Sequence, residues 1–202
     1  MTGPFSATRT TTQLLDALRD PENQLVWEQI DGRYRSVIAS FARRLGLGDV
    51  DADEVAQQTL SEFVRSYRAG QYRRSEGRLS SWILGIAHNT TRRMLRQQKR
   101  HNAADVDAVE PTADEATLRE VWTEERDREI FATALATLRD DSAMEDRTLL
   151  AFEFVAIRGM KAREAAALTG LSVDQVYVAR SRVTRRLREA VQALTRAFEE
   201  DQ

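Results

Sequence analysis

The chain has 202 residues, a formal net charge of −2, no cysteine and two histidines, His88 and His101. Its length supports one or two small domains with real cores; the missing cysteines exclude disulfides and thiolate metal sites, and without a Gly-rich phosphate loop or a Ser/His/Asp cluster neither a catalytic constellation nor a cofactor is expected. No apolar run approaches the roughly 20 residues that span a bilayer, and the opening "MTGPFSATRTTTQLL" lacks the apolar core of a signal peptide, so a soluble, cytoplasmic protein with no membrane insertion is expected.

In chain order, a short helix is predicted over 12–19. Asp20-Pro21 reads as an N-cap followed by proline at the first helical position. The helix it opens runs to about Leu45, with Leu25, Val26, Ile30, Tyr34, Val37, Ile38, Phe41 and Leu45 on one face. The glycines of "LGLGDVD" stop it. Asp51 and Glu54 have the spacing of a capping box for a helix to about Arg68. Val55, Ala56, Leu60, Phe63, Val64 and Tyr67 form its apolar side, and Asp53, Glu54, Gln57, Gln58 and Ser61 lie along a polar one. With no histidine and no third acid nearby, a metal site is not expected there. The polar side suits docking of a basic partner helix, although any solvated amphipathic helix shows the same pattern.

The next loop, "AGQYRRSEGR", puts Tyr72 beside Arg73, Arg74, Ser75 and Arg78, with Trp82 just beyond. Aromatics among arginines suit unstacked single-strand bases; a core role for Tyr72 and Trp82 is the plainer alternative. In "GRLSSWILGIAHNTTRRMLRQQKR", Leu79, Trp82, Ile83, Ile86, Ala87 and Thr90 recur at helical spacing. His88, Asn89, Arg92, Arg93, Arg96, Lys99 and Arg100 follow on the same helix. Between Arg65 and Arg100 ten Lys/Arg face one acid, Glu76. The first half of this helix packs it in place and the second half can meet phosphate, with a solvated last turn favoured by the helix dipole as the competing account.

From Asn102 to Glu129 the balance reverses, with ten acids against three arginines. Pro111 sits in this stretch, which has few large apolar residues and no periodicity, and 101–117 is read as a flexible acidic linker. Four further helices are predicted, over 114–138, 143–158, 161–169 and 173–198. No segment alternates with period two. The expected architecture is all-α: a four-helix domain over 1–100, the linker over 101–117, and a second small helical domain over 118–202.

The second domain carries "MKAREAAALTGLSVDQVYVARSRVTRRLREAV". A short helix, Ala162 to Thr169, turns Ala165, Ala166 and Leu168 inward, and Gly170 allows a tight turn. Leu171 plugs the turn and Ser172 caps a helix whose inward face is Val173, Val176, Val183 and Leu187. This is the layout of a helix-turn-helix. Asp174, Gln175, Tyr177, Val178, Ser181, Arg182 and Arg185 are left outward, where Arg and Gln can read base edges and Ser and Tyr can reach phosphates. A helical hairpin with a solvated arginine face fits the same pattern.

Taken together, the two halves resemble a bacterial RNA polymerase sigma factor of the extracytoplasmic-function group of the sigma-70 family. "DADEVAQQTLSEFVRSY" is similar to the family's DAxDxxQExFxxxW segment, the Trp82 helix to its G-x-F-x-x-W-L-x-x-I-A-x-N segment, and 160–189 to its closing helix-turn-helix. The resemblance implies that Asp53, Gln57 and Gln58, with Glu54 and Ser61 beside them, dock on core RNA polymerase. It implies that the loop from Gly70 to Arg78 (Arg73, Arg74, Ser75, Arg78) helps capture a flipped base of the −10 element, and that Asn89, Arg92, Arg93 and Arg96 engage −10 DNA at the melting edge. Ser172, Gln175, Tyr177, Val178, Ser181 and Arg182, flanked by Asp174 and Arg185, line up with the family's −35 readers. Core polymerase, promoter DNA and an anti-sigma factor are the implied partners. Gln58 stands where the family usually has glutamate, Leu79 where it has phenylalanine, and Tyr177 and Ala179 where it often has a basic residue. The alternative function is a free-standing helix-turn-helix regulator that binds duplex DNA without polymerase.

Overall fold

The computed structural model of the chain describes residues 11–20, 23–73, 75, 77–101, 114–141 and 144–198. Among these there are eight α-helices and no strand: α1 (Thr11–Leu18), α2 (Gln24–Arg44), α3 (Asp49–Arg68), α4 (Leu79–His101), α5 (Glu115–Arg139), α6 (Asp146–Phe152), α7 (Ala162–Thr169) and α8 (Val173–Phe198). Contacts divide the chain into two units, 1–129 with 197–202, and 130–196.

In the first unit α2, α3 and α4 pack on one another, and α1 packs on α2. Val26, Ile30, Tyr34, Val37, Ile38 and Phe41 of α2 close over Val55, Ala56, Leu60 and Phe63 of α3 and Ile83 and Ala87 of α4. The apolar face expected on α2 holds except at its start, where Leu25 is 68% exposed. Neighbouring residues on a helix are about 100° apart, and the fully buried Val26 takes the inward position. The cap also differs from the expectation of Asp20. Asn23 is the N-cap, its side chain accepting a hydrogen bond from the Val26 backbone at 3.4 Å, while Pro21 lies outside the described residues.

At the far end of α2 the N–H of Gly46 donates to Arg43 (2.9 Å) and that of Leu47 to Ala42 (3.2 Å), with Gly46 at φ +105°, the left-handed stop that glycine supplies. Next, α3 starts earlier than the Asp51/Glu54 spacing implied. Gly48 is the N-cap and makes no side-chain bond. Asp49 and Asp51 both fall in the first turn, where carboxylates oppose the positive helix end. Asp51 accepts from Gln98 of α4 at 2.6 Å, and Glu54 from Gln58 at 2.8 Å, so neither closes a capping box.

The first half of α5 belongs to this unit as well. Leu118 and Trp122 are buried, and Trp122 meets Phe41 edge-on at 5.7 Å. Arg44 of α2 bonds Glu124 at 3.1 Å and Glu125 at 3.4 Å. Residues 197–198 complete the unit: Arg33 donates to the Ala197 carbonyl at 2.7 Å, and Phe198 lies edge-on to Tyr34 at 5.5 Å. Burial pulls the Arg33 guanidinium below its usual pKa.

In the second unit Ala151, Ala165, Ala166, Val176 and Ala179 form a small core, with Phe154, Val155, Met160, Leu171 and Val173 packed against it. The helix predicted over 143–158 is a shorter one. α6 ends at Phe152 and continues as one π turn, Glu153–Ile157. There Arg158 donates to the Glu153 carbonyl at 3.0 Å, and the Glu153 carboxylate is held by Arg139 at 2.7 Å. Gly170 ends α7 at φ +69° as predicted. Leu168, expected inward, is 65% exposed. It falls roughly 200° around the helix from the buried Ala166, past the edge of a face that two alanines fill.

Phe63 is fully buried between α3 and α4. Phe63→Ala should therefore lower unfolding stability by about 3–5 kcal/mol in urea denaturation, whereas Leu25→Ala should change it by less than about 0.5 kcal/mol.

Candidate functional site

Three surfaces hold the residues singled out by sequence. The first is the outward side of α3. Asp53, Glu54, Gln57, Gln58 and Ser61 are all exposed. Glu54, Gln57, Gln58 and Ser61 line one groove of about 410 Å³, together with Glu62, Arg65, Thr90 and Arg93. Its floor is polar, and Glu62 is engaged by Arg65 and by the Ser66 hydroxyl. Asp53 is absent from this groove. It accepts from Arg43 of α2 at 3.2 Å, beside the Arg43–Asp49 pair at 2.7 Å. Arg93, assigned by sequence to the second surface, also lines the first.

The second surface is the latter half of α4 with the loop before it. Asn89, Arg92, Arg93, Arg96, Gln97 and Arg100 line a groove of about 310 Å³. Thr91 is buried on the opposite side and donates to the Ala87 carbonyl at 2.8 Å. The helix is thereby oriented with its arginines outward. His88 is half-buried, and burial first, then the charge of Arg92, holds it below the ordinary histidine range. In the loop Arg73, Ser75 and Arg78 are exposed, while Arg74 lies outside the described residues. Tyr72 and Trp82 are half-buried and stacked at 5.1 Å, with planes 23° apart.

The third surface belongs to the second unit. Gln175, Val178, Ala179, Arg182, Arg185 and Arg186 of α8 face Met144, Glu145, Arg147 and Thr148 across a groove of about 480 Å³. Ser172 and Gln175 form a reciprocal cap: the Ser172 hydroxyl accepts from the Gln175 N–H at 3.2 Å, and the Gln175 side-chain oxygen accepts from the Ser172 N–H at 2.8 Å. That leaves the Gln175 amide nitrogen as the group able to read a base. Asp174, Tyr177 and Ser181 are exposed on α8 outside this groove.

Sequence reasoning did not find Glu145 and Arg147, which bond each other at 2.7 Å. Arg147 holds the Glu145 carboxyl below its usual pKa, with Arg182 adding to the effect. Periodicity carries no signal for residues at the start of a seven-residue helix.

Residues 31–101 match the family Sigma-70 region 2, a span that takes in most of α2 and all of α3 and α4. Comparison with curated protein sequences finds no match. Among solved structures, that of CnrH in complex with the cytosolic domain of CnrY matches at 21% identity and a TM-score of 0.36, covering 89% of this chain and 96% of that one. The segment that carries the α3 and α4 surfaces is thus similar to sigma-70 region 2. No described helix is long and apolar enough to cross a membrane.

The His88 environment has a consequence for stability. Its folded pKa lies below the ordinary histidine value of about 6.5. The stability that comes with a neutral His88 is therefore complete above pH 6.5 and is lost as pH falls toward the folded value. Thermal unfolding should show a Tm that declines from pH 7.5 to pH 5.5, with a smaller decline in His88→Gln.

Proposed function

We propose that this chain is a sigma factor of the extracytoplasmic-function group of the sigma-70 family, which binds core RNA polymerase through the α3 groove, holds the melted −10 strand with the α3–α4 loop and the arginines of α4, and seats its helix-turn-helix on −35 duplex. One observation carries the reading: within the segment that matches region 2, a polar α3 groove adjoins an arginine-lined α4 groove, and the two share Arg93. A helix of polymerase in the first groove would leave the second facing the strand being melted. Glu54, Gln57, Gln58 and Ser61 make the protein contact, and Asp53 supports it by anchoring Arg43. Arg73, Arg74, Ser75, Arg78, Asn89, Arg92, Arg93 and Arg96 make the strand contact. On α8, Gln175, Arg182 and Arg185 reach bases and phosphates, with Ser172, Asp174, Tyr177, Val178 and Ser181 around them.

The −10 and −35 surfaces are carried by one chain, so that one promoter can engage both. The affinity of the free chain for DNA should be weak and steeply salt-dependent, and polymerase adds the rest by linked binding. An anti-sigma protein that covers these surfaces is the expected off-switch, and all of this takes place where polymerase works, in the cytoplasm.

Core polymerase should retain the full chain in a pull-down, and Gln57→Arg/Gln58→Ala should reduce retention at least about tenfold while leaving the circular dichroism spectrum intact. Failure of the folded wild-type protein to be retained would sink the reading. For holoenzyme on a promoter isolated by run-off transcription from fragmented genomic DNA, Arg182→Ala should reduce the slope of log K against log[salt] by about one. An unchanged slope would remove Arg182 from the phosphate contacts.

A further inference from the structure

The loop between α3 and α4 is closed by an aromatic side chain. α3 ends with Gly70 at φ +71°, where Gly70 N–H donates to Tyr67 at 2.9 Å and Gln71 N–H to Ser66 at 3.0 Å. The chain re-enters α4 past Gly77, at φ +154°. Between these glycines Tyr72 folds back on α4. Its ring stacks on Trp82 at 5.1 Å, and its hydroxyl donates to the Gly77 carbonyl at 3.2 Å. Tyr67 comes within 6.2 Å of the same ring. Trp82 in turn meets Phe63 edge-on at 5.6 Å. A ladder of rings, Phe63–Trp82–Tyr72, thus runs from the core to the loop, and a hydrogen bond joins its last ring to the other end of the loop.

We propose that Tyr72 is a positioning residue. It clasps the α3–α4 loop in one shape, so that Arg73, Ser75 and Arg78 are presented together to an unstacked base of a single DNA strand. The proposal rests on the reading that this loop meets the melted strand. Tyr72 itself is a poor platform for a base, because its ring is engaged by Trp82 and Tyr67 and its hydroxyl by Gly77. Its contribution is entropic. A tyrosine orders the loop through two side-chain torsions, and a loop ordered beforehand does not lose that freedom when the base arrives. Without the clasp the flanking side chains bind one at a time, and selectivity falls with affinity.

The test uses the full chain on core polymerase with a library of random single-stranded DNA 12-mers as the probe. Retention on core and enrichment of bases at each position are both read. Wild type should select a base at one or more positions. Tyr72→Ala should hold core as wild type does, bind the selected 12-mer about tenfold more weakly and flatten the base preference. Tyr72→Phe keeps the ring and drops the bond to Gly77, and should fall two- to threefold; it decides the matter if the alanine variant fails to hold core. Wild-type affinity and preference in Tyr72→Ala would overturn the clasp. Tighter binding would do so as well, by showing that the ring occupies a place meant for the base. If wild type holds core yet selects no base, the strand-binding role of the loop fails, and the clasp with it.

Discussion

The packing of Phe63 between α3 and α4 sets the register on which both first-unit surfaces depend. Its ring is fully buried, sits edge-on to Trp82 and lies within 6.2 Å of Tyr67. Aromatic pairs of this geometry resist sliding as well as separation, because the ring edge must keep facing a π-face. Fixing α3 against α4 at this point places Thr90 and Arg93 across from Gln57 and Ser61, so that two helices share one groove. The bond from Gln98 to Asp51 ties the opposite ends of the same two helices at 2.6 Å. Recognition groups carried by helices locked at two points keep their spacing, which loops alone would not ensure.

Charge is organised at the same scale. A net charge of −2 conceals the fact that many arginines already hold carboxylates: Arg43 holds Asp49 and Asp53, Arg44 holds Glu124, Arg147 holds Glu145, and Arg186 holds Asp141. Ion pairs this exposed add little to stability and weaken with salt. Their larger effect is on binding. On the proposed function, a phosphate approaching Arg147 or Arg182 would compete with Glu145, so free protein would gain less from random DNA than its arginine content implies, and correctly placed DNA, engaging several arginines at once, would gain more.

Much of the fold was legible because its signals are local. The apolar stripe of α4 and the Gly170 turn followed by a capped helix stand in the structure where periodicity and turn chemistry put them. The misses arise where two local solutions compete and tertiary packing chooses. Asp20-Pro21 and Asn23 are both plausible caps, and burial of Val26 selects Asn23. Asp51 and Glu54 have capping-box spacing, yet Gly48 starts the helix one turn earlier and Gln98 takes the Asp51 carboxylate. The Glu145–Arg147 pair is local in sequence, but its place across from α8 depends on a tertiary approach that no window of neighbouring residues contains.

α5 shows the same limit in a single helix. Its first half buries Leu118, Trp122 and Glu125, and its second half buries Ile130, Ala134 and Leu138. At about 100° per residue the centres of these two sets lie roughly 150° apart around the axis, so the helix has no continuous apolar stripe. The contact division between the units falls inside it, after Glu129. Glu125 explains how an acid can take a core position in the first half. It is nearly as buried as Trp122, but Arg128 at 2.5 Å and Arg44 at 3.4 Å supply the positive charge that burial of a carboxylate requires. Two helices thus cooperate to bury a carboxylate beneath exposed arginines where a sequence scan reads solvated charge. A boundary within a helix, marked by a change of buried face instead of by proline, glycine or composition, becomes visible only when the partners of each face are known.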